Sequence, residues 1–385
     1  MDLKHIREFF DSIVHLLAYS QRLSTTPYEV DVIVNPVAGR VARHHILAHE
    51  LSVVRSFLER LHTMHPNHSQ HDLLPAVNAM LHISERRGNA ALITRGIIDS
   101  MLPAKGAVVA ADAPRRLLVS VGGDGTHEEV LSELYQADPS VLNRLEVFRL
   151  PMGTGNDSAD AGEVQEACEL LYGGETSRRI SALKVHAAGL DPFFSFNIAS
   201  MGLDAYVTDV TNRLRGVVPG DTYKVIADFA TLFYEPSFRR GPMEIRLESP
   251  EGIVETLAGK FVLLAMGVSG HRVYGGAKPV LPGDENLCLV SSVSVIRKIQ
   301  LKKLFYSGTH VDQRETTMRA ARHIVVQYDG RIPVQVDGES RWLHPENFPV
   351  SIEILEPRVH VLTHPIVTGS RKIDSESRTL RNRVP

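Results

Sequence analysis

RLLVSVGGDGTHEEVLSELYQA (Arg116–Ala137) decides the fold. It reads as a strand, a glycine turn and a helix, in that order. Upstream, YEVDVIVNP (Tyr28–Pro36) is a short β-rich run ending in a turn, and a polar helix follows through HHILAHELSVVRSFLERL (His44–Leu61). The pattern predicts a second helical stretch from Leu73 to Arg87, then AALIT (Ala90–Thr94) as a strand and IIDSML (Ile97–Leu102) as a short helix. Downstream come a strand EVFRL (Glu146–Leu150), a second glycine turn PMGTGND (Pro151–Asp157) and a helix VQEACELLY (Val164–Tyr172). Strands alternating with helices and ending in glycine turns predict a parallel α/β sheet over residues 30–175.

The second half has a different texture. FFSFNIAS (Phe193–Ser200), MEIRLES (Met243–Ser249), IVETLAGKFVLLAMGV (Ile253–Val268), LCLVSSVSV (Leu287–Val295), HIVVQYDG (His323–Gly330), IPVQVDG (Ile332–Gly338) and VSIEILE (Val350–Glu356) mostly follow one another directly. Helical interruptions are expected only near Ala205–Leu214, Thr222–Phe233 and Ile299–Phe305, so sheet packed on sheet is the expectation. HIREFFDSIVHLLAYSQRL (His5–Leu23) has helical spacing, and Asp11 and Glu8 interrupt it, so it reads as a surface-packed helix and not as a secretory signal. The division expected is a helical extension (1–29), an α/β domain (30–175), a β-rich domain (176–365) whose last strands return to the first, and a polar, disordered tail (366–385).

Three loops follow strands in the first half: NPVAGR (Asn35–Arg40), GGDGT (Gly122–Thr126) and PMGTGND. At the carboxyl ends of parallel strands such loops line one crevice. Glycine lets backbone N–H groups approach an anion, and the helices that follow aim their positive ends at the same place. Phosphate suits that arrangement. An aspartate between glycines makes sense there with a divalent cation between it and the phosphates. No GxxxxGK[ST] is present, nor the HRD and DFG signatures, nor GxGxxG before the first helix.

Composition narrows the field. The 385 residues carry 42 Lys+Arg against 45 Asp+Glu, a net charge of −3, so bulk electrostatic binding to nucleic acid or to an anionic membrane has no support. With 43% hydrophobic and 23% charged residues the chain is globular. Two cysteines, Cys168 and Cys288, exclude a disulfide scaffold and suit apolar packing in a reducing compartment. The longest apolar run, Phe261–Val268, is far short of the roughly 20 residues of a spanning helix.

NPxxG, GGDGT and PxGTGND in this order resemble the diacylglycerol kinase catalytic-domain family, which includes bacterial lipid kinases and sphingosine and ceramide kinases. The resemblance continues through NIASMGLDAYV (Asn197–Val207), GVVPGDTYKVIADF (Gly216–Phe229), GGAKPVLPGDENL (Gly275–Leu287) and VQVDGE (Val334–Glu339). It implies an α/β nucleotide-binding domain, shared with NAD kinases, plus an all-β sandwich-like domain, with the active site between them. The activity it implies is transfer of the γ-phosphoryl group of ATP, with Mg2+, to a lipid hydroxyl. Asn35, Pro36, Val37, Ala38 and Gly39 with Gly122, Gly123, Asp124, Gly125 and Thr126 would hold ATP. Thr94, Gly153, Thr154, Gly155, Asn156 and Asp157 would lie beside its phosphates, and Glu129 matches the acid of the family's GGDGTxxE. Asp124 would bind magnesium and Glu339 is the candidate base, although which of the two takes the proton stays open. Asp204, at the GxDA position, and Tyr223 would face the lipid, with a helix N-cap as the equal alternative for Asp204.

The implied protein works peripherally at the membrane from the cytoplasm, without a transmembrane segment or nucleic-acid partner; a homodimer is left open. A kinase of NAD or another soluble acceptor, or a catalytically silent relative, are the competing readings. Three departures from the family pattern stand out. Glu128 replaces Asn or His, Ser158 and Asp160 replace an apolar residue and Arg, and the common DDG reads Asp284-Glu285-Asn286. There Asn286 is expected to supply the left-handed backbone and Asp284 and Glu285 to ligate a structural magnesium. The histidines at 45, 49, 62, 65, 68 and 71 read as solvated surface. A small basic patch, Arg297, Lys298, Lys302 and Lys303, reads as a solvated helix face, with anionic headgroups as the alternative.

Overall fold

The computed structural model describes residues 3–20, 28–65, 77–103, 113–153, 156, 159–173, 176–214, 241–274 and 278–363. Strands β1 (Tyr28–Val34), β2 (Val77–Ile83), β3 (Arg115–Gly122) and β4 (Leu145–Pro151) pair in parallel in the order β2-β1-β3-β4. The longer helices of this half are α1 (Leu3–Ala18), α2 (His44–Met64), α3 (Asn89–Met101), α4 (Asp124–Gln136) and α5 (Val164–Gly173). Alternating side chains send Val32 and Val119 to a core shared with α1, α2 and α5, and Ile33 and Leu118 to one shared with α3 and α4. Burial on both faces explains the near-continuous apolar strands. Helix α1 buries Ile6, Phe9, Ile13, Leu16 and Leu17 against this layer, as its spacing predicts.

Two neighbouring assignments are corrected. The stretch expected to be helical from Leu73 contains β2, and AALIT lies inside α3. Val77, Ala79, Leu81 and Ile83 alternate with period two, and β2 pairs residue for residue with β1. In α3, Ala90, Thr94, Ile97, Ile98 and Met101 form the buried stripe. Packing against the sheet overrides the strand preference of Ile93 and Thr94.

The second half contributes β5 (Thr176–Ala187), β6 (Phe193–Ser195), β7 (Ile198–Gly202), helix α6 (Leu203–Leu214), β8 (Met243–Glu248), β9 (Val254–Gly259) and β10 (Phe261–Gly267). Then follow β11 (Arg272–Tyr274), β12 (Lys278–Leu281), β13 (Leu287–Ser291), helix α7 (Val295–Ser307) and β14 (Thr316–Arg319). The last strands are β15 (His323–Gln327), β16 (Ile332–Val336), β17 (Glu339–Leu343) and β18 (Val350–Thr363). A six-stranded antiparallel sheet, β14-β13-β10-β7-β16-β17, packs on β5, β18, β15 and β8 through Met201, Leu264, Val334, Ile245, Ile324 and Val350.

The molecule is therefore an α/β domain with a parallel sheet plus an antiparallel all-β domain. Strand β18 joins them: its early residues pair with β15, and His360 and Val361 run parallel to β4. Its ladder with β5 is irregular between Leu355 and Val359, where Pro357 has no N–H to give. Arg358 then donates to the carbonyls of Tyr135 and Ala137 at the end of α4. Cys168 and Cys288 are buried and unpaired, and burial pushes both thiols up to about 12. No helix among the described residues is long and apolar enough to cross a membrane. The helix expected over Thr222–Phe233, the tail from 366, His68 and His71 lie outside the described residues.

Candidate active site

The three glycine loops meet at the carboxyl ends of β1, β3 and β4. Asn35 Nδ2 donates to Thr126 Oγ1 at 2.9 Å, and Asn35 Oδ1 accepts from the Val37 N–H, an Asx turn that leaves Val37 78% exposed. Arg40 N–H donates to Met152 O, which ties the first loop to the third. Gly153 N–H donates to Asn156 Oδ1 at 2.7 Å, with Asn156 itself left-handed at φ 58°. A Cβ on Gly122 would stand 2.6 Å from Thr126 Oγ1, and one on Gly153 would strike the Gly123 backbone. The glycines are there for close approach of loop to loop as well as for access to an anion. Thr154, Gly155, Asp157 and Ser158 lie outside the described residues.

Asp124 is half-buried in the first turn of α4, where the helix presents free N–H groups. Two expected neighbours do other work. Glu129 accepts from the N–H groups of Gly88 (2.7 Å) and Ala90 (3.1 Å), so it caps α3. Thr94 is fully buried within α3 and its hydroxyl donates to Ala90 O. It has no surface from which to meet a phosphate. Ser84 follows the end of β2, its N–H on Val34 O beside the Asn35 loop and its hydroxyl donating to Arg86 O.

The all-β half delivers Glu339. Asp337, at φ 45°, accepts from Ser195 Oγ (2.7 Å) and from the N–H groups of Phe196 (2.5 Å), Asn197 (3.1 Å) and Ile198 (3.2 Å). Burial pushes the Asp337 carboxyl up, and these four donors pull it back. Gly338 N–H donates to Gln335 Oε1, and its carbonyl accepts from Asn212 Nδ2 of α6. So held, the turn brings Glu339 over α4: a Cβ on Gly125 would lie 3.2 Å from Glu339 Oε1. Arg87, in the loop between β2 and α3, donates to Glu339 Oε2 at 2.5 Å. Asp124 and Glu339 thus meet at one helix terminus from opposite halves of the chain.

Asp204 lies in the first turn of α6 and accepts from Ser200 Oγ at 2.8 Å, while Gln335 Nε2 donates to Ser200 Oγ at 2.9 Å. It braces the Gln335–Gly338 turn. Tyr223 lies outside the described residues.

Glu128, on α4, sits where Asp337, Glu339 and Glu129 all act on it. Burial first, then the charge of Asp337, pushes its carboxyl up to about 7, against a hydrogen bond from Ser132. Asp160 is matched by Arg149, which donates from its backbone N–H (2.7 Å), Nε (3.2 Å) and Nη2 (2.6 Å). The pair is nearly enclosed, so the acid that departs from the family pattern has its own counter-ion. His127 is buried beneath it with Nδ1 2.9 Å from Ser120 Oγ, and burial pushes it down to about 3.

The Asp284 turn differs from expectation. Asn286 is buried and not left-handed; its amide spans Gly267 O, Ala321 O and Ala321 N–H. Asp284 and Glu285 are exposed, and Asp284 pairs with His271 at 2.8 Å. No group of three or more His, Cys, Asp or Glu among the described residues is arranged to hold a metal ion. The left-handed backbone expected at Asn286 is thus corrected, and the Asp284 and Glu285 carboxylates both face solvent. At the loops, the donor chemistry does fit: magnesium needs only one or two carboxylates beside phosphate oxygens and water, and Asp124 is such a carboxylate.

Fold and loops together define a two-domain protein in which glycine-rich strand ends face an acidic turn of a β-sandwich. Residues 29–185 match the family model described as the diacylglycerol kinase catalytic domain. The "Probable lipid kinase YegS-like" of Stenotrophomonas maltophilia (strain K279a) is 29% identical over 238 residues, 58% of this chain and 72% of that protein. A diacylglycerol kinase of Bacillus subtilis (strain 168) is 24% identical over 234 residues, 60% and 74% of the two chains. A crystal structure of a diacylglycerol kinase from Bacillus anthracis str. Sterne superposes with a TM-score of 0.52 at 17% identity, covering 88% of this chain and 97% of that one. At that identity the correspondence is one of fold.

Proposed function

We propose that the protein is a lipid kinase that moves the γ-phosphoryl group of ATP to a lipid hydroxyl in the cleft between the glycine loops and the Asp337–Glu339 turn. The observation that carries this reading is Glu339 brought over Gly125, at the helix terminus where Asp124 stands. The loops of Asn35–Gly39, Gly122–Thr126 and Gly153–Asn156 hold the triphosphate with backbone N–H groups. Asp124 holds Mg2+, which when bound offsets phosphate charge. Glu339 accepts the proton of the attacking hydroxyl, whose oxygen bonds to the γ-phosphorus as the bond to the β-phosphate oxygen breaks and ADP leaves. Arg87 keeps the Glu339 carboxylate aimed at the hydroxyl. Positioning and charge placement supply most of the rate in such a transfer, and the base adds to them.

The test is transfer from labelled ATP, with magnesium, to diacylglycerol, sphingosine, ceramide or NAD in mixed micelles. Label is expected in a lipid. Asp124→Asn is expected to abolish turnover with ATP-analogue affinity kept within about tenfold. Label in NAD alone, or full turnover in that variant, would overturn the reading.

A further inference from the structure

Helix α7 turns its surface inside out. Lys298 and Leu301 face inward and are buried, while Val295, Ile296, Ile299 and Tyr306 are exposed, Ile296 at 72% and Tyr306 at 56%. Residues 296, 299, 303 and 306 follow at three- and four-residue steps, so two isoleucines, an exposed lysine and a tyrosine share one stripe. Single exposed apolar side chains are ordinary; four on one helix of 13 residues are a patch.

The helix itself carries charge of one sign. From Asn286 to Val311 the chain has no Asp or Glu. Arg297 is taken up by Glu315 and Gln313, and Lys303 is exposed on the stripe. Lys278 of β12 adds a cation 4.9 Å from the centre of the Tyr306 ring. Isoleucines and a tyrosine flanked by lysines, with the neighbouring Glu315 spent on Arg297, form the kind of surface that enters the interface of an anionic bilayer.

The patch is also linked to the candidate site. Val273 of β11, itself exposed, pairs with Pro279 of β12, next to Lys278. The Val273 carbonyl accepts from Asn197 Nδ2, and the Asn197 N–H is one of the donors to Asp337. A chain of hydrogen bonds through the buried Asn197 therefore ties the hairpin to the acidic turn.

We infer that the outer face of α7, with the β11–β12 hairpin, is where the protein sits on an anionic lipid bilayer. Its purpose rests on the lipid-acceptor reading, but its readout does not. The experiment is sedimentation of the full chain with phosphatidylcholine vesicles, with and without phosphatidylglycerol, in the absence of nucleotide. Binding is expected to require phosphatidylglycerol and to weaken with salt. Ile296→Glu/Ile299→Glu is expected to weaken it at least tenfold, and Lys303→Glu several-fold and only on the anionic vesicles.

Unchanged circular dichroism and melting temperature will show that the variants fold, as exposed positions should. Equal binding by wild type and the double variant, or none by either, overturns the inference. So does a double variant that turns a dimer into a monomer without losing vesicle binding, which would make the face a self-association surface. Phosphorylation of a short-chain, water-soluble acceptor, unchanged in the double variant, separates the two readings: its absence in wild type sinks the kinase and leaves the vesicle result standing.

Discussion

Two acidic turns lie in the β half of the molecule, Asp284-Glu285-Asn286 and Asp337-Gly338-Glu339, and each has a buried anchor. Asn286 is the anchor of the first, with three hydrogen bonds to Gly267 and Ala321. Asp337 is the anchor of the second, with four donors from Ser195 to Ile198. The acids beside the anchors differ in what lies opposite them. Asp284 and Glu285 face solvent, with His271 as the partner of Asp284, whereas Glu339 lies over the first turn of α4 beside Arg87. An acid gains a candidate chemical role from its position across a cleft; being next to glycine in a tight turn does not confer one.

The largest test of that comparison exchanges the projecting acids for amides. Glu339→Gln is expected to lower kcat by roughly 10²–10⁴-fold, the range for losing a positioned base, with Glu285→Gln within about twofold of wild type in the same lipid phosphorylation assay. Comparable rates for the two variants would erase the distinction. The anchors should matter to stability instead. Asp337→Asn turns an acceptor into a donor facing backbone N–H groups and is expected to cost about 2–4 kcal/mol in urea unfolding; Asn286→Ala should cost about 1–3 kcal/mol. A loss below about 0.5 kcal/mol at Asp337 would mean that the turn is held by its strands and not by the carboxylate.

The smallest effect sharpens the same contrast through pH. Glu128 lies near Asp337 and Glu339, and its folded carboxyl is pushed up from 4.5 to about 7. The folded state then binds the proton more tightly than the unfolded chain, so stability is greatest below pH 4.5 on this account and falls as pH rises through 7. Glu128→Gln should match wild type near pH 4.5 and exceed it at pH 8 by on the order of 2 kcal/mol, read from melting curves in chelator. Parallel pH profiles for the two proteins would remove Glu128 from the acidic side of the cleft.

How much of this could be read in advance depends on range. The first half of the glycine requirement is local: a Cβ on Gly122 would strike Thr126 four residues on, whereas Gly153 is excluded by the backbone of Gly123 in another loop. The alternation at Val77, Ala79, Leu81 and Ile83 that marks β2 is equally local and stands in the letters, whereas the helix at Asn89–Met101 is set by the stripe it buries against the sheet. Thr94 and Glu129 entered through the family pattern, and the fold gives each another partner: one is spent inside α3 and the other on the N–H groups of Gly88 and Ala90.

The sequence alone determined an α/β half with three glycine loops at strand ends and a β-rich half. These follow from periodicity and turn chemistry, which act over a few residues. Only the tertiary structure decided that Asp160 has Arg149, that Asp204 braces a turn, that β18 ties the two sheets together and that α7 keeps its isoleucines outside. Those are pairings between distant positions, and whether a charge or an apolar side chain is satisfied depends on what the fold places beside it.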